Sequence, residues 1–106
     1  SILWPIIETL QKLSGKSYES HTVSMRVIAD HLRAATFLAV DDVKPSNQEQ
    51  GYVMRRLIRR AVRFAFDLGI EQNFMEAVVP VIADMYAADY PEVAAARDEV
   101  IAVLVK

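Results

Sequence analysis

Between Gly51 and Phe64 the sequence reads GYVMRRLIRRAVRF, with five arginines and no acid. A guanidinium is always charged and presents a planar fork of donors, which suits carboxylates and phosphates. At about 100° per residue from Arg55, the residues Arg59, Arg63, Arg56 and Arg60 fall within an arc of about 140°. The opposite side collects Val53, Met54, Leu57, Ile58, Ala61, Phe64, Ala65 and Leu68. One side of such a helix packs and the other is a dense positive strip. Arg55, Arg59 and Arg63 rise by about 6 Å per step, close to the phosphate spacing of a nucleic-acid strand. Like charges at this interval repel when alone, so a negative partner is expected. The spacing favours nucleic acid. The competing reading pairs these arginines with acids on neighbouring helices of the same chain.

Other reactive residue types yield less. Asp30 and His31 are adjacent on one helical pattern and point apart, with no nucleophile beside them. A structural hydrogen bond is expected there, not catalysis. His21, ten residues away, reads as a polar residue near a helix start. The chain has no cysteine and two histidines, which excludes a disulfide framework and a thiolate metal centre and argues against a histidine-rich one. The four methionines and Phe64 read as core filling. Phe66 rotates to the arginine side, where it meets either the preceding helix or a partner. No catalytic and no metal-ligating residues are expected.

Helices must position these groups, because strand-like alternation is never sustained. The first covers about 4–13, with Pro5 in its first turn and Gly15 as its stop. The second covers about 22–40, with Val23, Val27, Ile28, Leu32, Ala35, Leu38 and Ala39 at helical spacing and Arg26 and Arg33 on more polar faces. The loop DDVKPSNQEQG follows, in which Ser46 and Asn47 are capping types. The arginine helix covers about 51–68, with Gly69 as its stop. A fourth, about 73–88, carries Pro80 inside and is expected to kink there. A fifth starts at the Tyr90-Pro91-Glu92 stretch and runs to the end. The fold class is all-α, a helical bundle of about five helices in a single domain, 1–106.

The 106 residues carry a formal net charge of −2, but unevenly. Residues 1–66 hold ten Lys/Arg and six Asp/Glu, while 67–106 hold two and eight, so +4 and −6 sum to −2. Binding follows the local patch, so the acidic total does not exclude nucleic acid. No apolar run reaches the roughly 18 residues of a membrane span. No signal peptide is read at the start, and a cytoplasmic setting is expected. The absent initial methionine and the apolar end suggest a piece of a longer protein.

The loop before the arginine helix, about ten residues, is too long for a helix-turn-helix. No surface aromatics are expected to form a stacking platform for single strands. A structured duplex, held by its backbone and read in the wide minor groove if it is RNA, fits better.

The segment RVIADHLRAATFLAVDDVKPSNQEQGYVMRRLIRRAVR, residues 26–63, closely resembles the most recognisable helical segment of alanyl-tRNA synthetases. That family carries R-V-I-A-D-H-x-R-A, then F-L-I-x-D-G-V-x-P-S-N, then G-Y-V-L-R-R-x-I-R-R-A-x-R. The order and spacing match, and the weaker flanks extend the likeness over nearly the whole chain. The resemblance implies a helical tRNA-recognition region that follows a class II catalytic core. It implies contact with the tRNA(Ala) acceptor stem, whose G·U wobble pair marks the tRNA. By that resemblance Asn47 approaches the wobble pair, and Arg55, Arg56, Arg59, Arg60 and Arg63 match the arginine helix. An asparagine amide both donates and accepts, as reading a minor-groove edge requires. The family's Asp-Gly-Val is here Asp41-Asp42-Val43, and its glycine and arginine before Gly-Tyr are Glu49 and Gln50. These changes remove a basic contact and some loop freedom beside Asn47. A further acidic residue that reads the pair in the family lies beyond this chain.

The resemblance implies an alanine–tRNA ligase parent that uses ATP and Mg²⁺, with zinc. The catalytic core would be another part of that parent, and the piece described by this sequence is expected to lack cofactors and catalytic residues. The alternative is a helical protein-interaction module whose arginine face meets an acidic partner.

Overall fold

A computed structural model describes residues 3–41, 46, 48–70 and 74–92. Four helices lie among them: α1 (Trp4–Ser14), α2 (Thr22–Val40), α3 (Glu49–Asp67) and α4 (Phe74–Tyr86). About five were expected. The fifth begins among the described residues only as a helical turn at 91–92, and its remainder lies outside them. All-α describes what is present.

The helix ends follow from local chemistry. Pro5 occupies the first turn of α1, where its missing N–H leaves no bond unmade. Gly15 closes that helix at φ 71°, and its N–H donates to the Gln11 carbonyl at 2.9 Å. At the end of α3, the Ile70 amide reaches back to the Ala65 carbonyl at 3.0 Å and the Gly69 amide to Phe66 at 2.9 Å. This pair of bonds needs a left-handed residue, and Gly69 supplies it at φ 85°. Pro80 lies inside α4, where it contributes no N–H.

The packing has two pairs. α2 lies along α3 and α1 lies against α4, while α2 also touches α1 and α4. The core between them holds Ile6, Ile7 and Leu10 of α1, Met25, Ile28 and Leu32 of α2, Met54, Ala61 and Ala65 of α3, and Val78, Val79 and Ile82 of α4. Each large aliphatic side chain buried there contributes about 1.5–3 kcal/mol. The one buried polar side chain among the described residues, Thr36, is satisfied by donating to the Leu32 carbonyl at 2.7 Å.

Two apolar residues expected to pack do not. Val23 is 72% exposed on the first turn of α2, and Val53 is 51% exposed on α3. Both stand at the margin of their helix's apolar arc, beyond the width the neighbouring helix covers. Lys16 ties the α1–α2 turn to α3: its Nζ donates to the Leu68 carbonyl at 2.7 Å. A cation at a helix C-terminus is favourably placed against the backbone dipole.

Candidate nucleic-acid interface

The buried line of α3, namely Met54, Ala61 and Ala65, continued by Leu68 just past its end, turns its opposite side outward. Arg55, Arg56, Arg59, Arg60 and Arg63 are all exposed on that side. The strip read from the sequence is therefore a single solvent-facing surface. Among the described residues none of the five lies within ion-pair distance of a carboxylate. Among the described residues the ion pair present joins Asp30 and Arg33 at 2.9 Å, with His31 Nδ1 3.9 Å from the same carboxylate. Pairing of the strip with acids on neighbouring helices is absent among the described residues.

Neighbouring aromatics hold two of the arginines. The Arg56 guanidinium lies 5.9 Å from the Tyr52 ring centre, and that of Arg60 lies 5.6 Å from the Phe64 ring centre. Each contact is worth about 0.5–1 kcal/mol at an exposed site and limits the rotamers the arginine samples. Arg55, Arg59 and Arg63 carry no such restraint, and form the row of i, i+4 charges.

Tyr52 is 47% exposed and Phe66 59% exposed. Phe66 thus does not pack on α2, and aromatic surface does occur on the arginine side. The two residues stand fourteen apart, about 21 Å along the axis, which is too far to stack successive bases as one platform.

The approach to α3 is a tight turn. Ser46 Oγ accepts from the Gln48 amide at 3.3 Å and donates to the Gln48 carbonyl at 3.1 Å, while the Ser46 amide donates to the Gly51 carbonyl at 3.1 Å. The helix itself starts without a side-chain cap. Glu49 has φ 49°, in the left-handed region, where a side chain costs about 1–2 kcal/mol. The carboxylate nonetheless sits in the first turn, where the helix dipole favours it. Asn47, expected to read bases, lies outside the described residues.

Sequence reasoning underrated His31. No hydrogen bond joins it to Asp30: the Nδ1–Oδ2 distance is 3.9 Å, and Arg33 engages that carboxylate instead. His31 Nδ1 is shielded from water and has no hydrogen-bond partner. The ring faces a cleft of about 170 Å³ between α2 and α3, lined by His31, Val53, Arg56, Leu57 and Arg60. Burial lowers the imidazole pKa from 6.5, and the Arg60 guanidinium lowers it further, against a smaller opposing pull from Asp30. The neutral ring is therefore favoured in the free protein. No spacing in the sequence signals this, because residues 31 and 56–60 meet only once α2 packs on α3.

Among the described residues no group of three potential metal-ligating side chains comes together, and none of the four helices is both long and apolar enough to cross a membrane.

The whole chain, residues 1–106, matches the family model described as tRNA synthetases class II (A). It is 50% identical to the alanine–tRNA ligase of Halalkalibacterium halodurans over 87% of this chain and 11% of that protein. Against the alanine–tRNA ligase of Bacillus velezensis it is 44% identical over 99% of this chain and 12% of that protein. Against that of Treponema pallidum the figures are 47%, 86% and 16%. The chain thus spans a small part of the length of these relatives.

Proposed function

The chain belongs to the alanyl-tRNA synthetase family, and from that premise we propose that residues 1–106 are a single helical tRNA-recognition domain that grips the acceptor stem of tRNA(Ala). One observation carries the reading: five exposed arginines share one face of α3, and among the described residues none has a carboxylate partner. Such a face is ready to exchange solvent counterions for phosphates. Arg55, Arg59 and Arg63 follow one strand by their regular rise, while Arg56 and Arg60, steadied by Tyr52 and Phe64, approach from the edge beside α2. Phosphate contacts set register but carry no sequence information. Reading the G·U pair is assigned to Asn47, just ahead of α3, whose amide matches a minor-groove edge. The parent protein would be a cytoplasmic enzyme that activates alanine with ATP and transfers it to the positioned tRNA end on its catalytic core. No step of that chemistry is assigned to the residues of this domain.

The test is binding to an alanine acceptor-stem hairpin across a salt series. With three to five arginines on phosphates, log affinity is expected to fall against log salt with a slope of roughly −2 to −4. Asn47→Ala is expected to remove the preference for G·U over G·C with less effect on overall affinity. No binding at low salt sinks the RNA reading and favours an acidic protein partner. Equal weakening on both stems by Asn47→Ala refutes a reading role.

A further inference from the structure

The cleft between α2 and α3 has three features that the arginine strip alone does not explain. Its floor is partly apolar, made by Val53 and Leu57. Its rim carries Arg56 and Arg60, one helical turn apart, each held over an aromatic ring. Its far wall is the His31 ring, 19% exposed. The ring's Nδ1 is closed to water, and Asp30, 3.9 Å from it, is bound to Arg33, so the rest of the ring is what meets the cleft.

We propose that this cleft is a phosphate-binding subsite in which Arg56 and Arg60 hold the anion and His31 takes up a proton as it enters. The volume, about 170 Å³, accommodates a phosphate group with its ester oxygens. The inference rests on the acceptor-stem reading for the source of the phosphate, a backbone phosphodiester, but its chemistry applies to free phosphate too. The charged groups facing His31 are Asp30 on its own helix and Arg56 and Arg60 on α3. In the empty cleft burial of the ring and then the Arg60 guanidinium oppose its protonation. A phosphate between them offsets the Arg60 contribution, since an opposite charge nearby favours the protonated imidazole. The proton is taken from solvent, so binding tightens as pH falls. The cleft would then hold one phosphate more firmly than the exposed arginine row holds the others.

Two measurements on the chain decide this. In the first, NMR follows the His31 ring and the Arg56 and Arg60 Nε–H signals. Inorganic phosphate at neutral pH is expected to shift them saturably, while chloride at equal ionic strength does not. Equal responses to the two anions overturn the proposal. In the second, the same signals are followed with the acceptor-stem hairpin, and its affinity is measured from pH 8 to pH 6. The expected result is a raised His31 pKa in the complex and about three- to tenfold tighter binding at pH 6, lost in His31→Gln. RNA that binds without moving His31 overturns the cleft assignment and leaves the acceptor-stem reading standing. RNA that fails to bind, with phosphate still saturating the cleft, overturns the acceptor-stem reading while the phosphate site stands.

Discussion

Glu49 holds its backbone at φ 49°, where glycine is comfortable and any side chain is strained. The motif that the sequence resembles has glycine at this place, so the departure noted in the sequence has a local consequence. Replacing Glu49 with Gly or with Ala removes the same carboxylate, and the comparison isolates the backbone. Within an ordinary helix alanine is better by about 1 kcal/mol. Here the order is expected to reverse, with Glu49→Gly more stable than Glu49→Ala by about 1 kcal/mol. Denaturant midpoints of the two variants check it, and a more stable alanine variant would mean that the turn is unstrained. At the same scale the sequence misjudged Asp30 and His31. The two were read as pointing apart with a structural hydrogen bond expected; Asp30 accepts one from Arg33, three residues on, while His31 Nδ1 has none.

The helix α3 is a compromise between its two faces. Its inner face, with Met54, Ala61 and Ala65, docks on α2. Its outer face stacks Arg59 between Arg55 and Arg63, each four residues away, with no acid between. Like charges at that spacing cost roughly 0.2–0.5 kcal/mol per pair. Arg59→Gln is therefore expected to raise stability by about 0.5 kcal/mol while weakening RNA binding and making the salt slope shallower by about one. Thermal melts and filter binding on one preparation measure both. A destabilised variant would show that Arg59 is paired within the chain, as the reading that pairs the strip with acids on neighbouring helices requires. The arc of arginines was legible in the sequence because a helix fixes angles from spacing alone. The exposure of Val53 was not, because it depends on where α2 stops covering α3.

In the whole molecule α2 is the hub, since it touches each of the other three helices. Leu32 is fully buried on it. Leu32→Ala is expected to cost about 2–5 kcal/mol, a large part of the 5–15 kcal/mol typical of a domain. Because α2 joins both helix pairs, all four helices should melt together. Far-ultraviolet dichroism and Trp4 fluorescence, which reports on the edge contact with Tyr18, are expected to give one transition. Separate transitions would mean that the α1–α4 and α2–α3 pairs fold independently. Charge is organised at this scale too: four described acids, Glu76, Asp84, Asp89 and Glu92, are exposed in or after α4, away from the arginine row's own helix. They leave the positive potential to one side of the molecule.

The sequence by itself determined the helical class, the glycine stops at 15 and 69, the shared face of the five arginines and the family. The first three follow from local rules: helical angles accumulate along one chain, and a left-handed stop is set by its own residue; the family follows from the resemblance carried by residues 26–63. Tertiary structure decided that those arginines lack carboxylate partners among the described residues, that Lys16 binds the end of α3, and that His31 meets Arg56 and Arg60 across a cleft. Each depends on which side chains come together when separate helices pack, and the linear order of residues does not contain that distance.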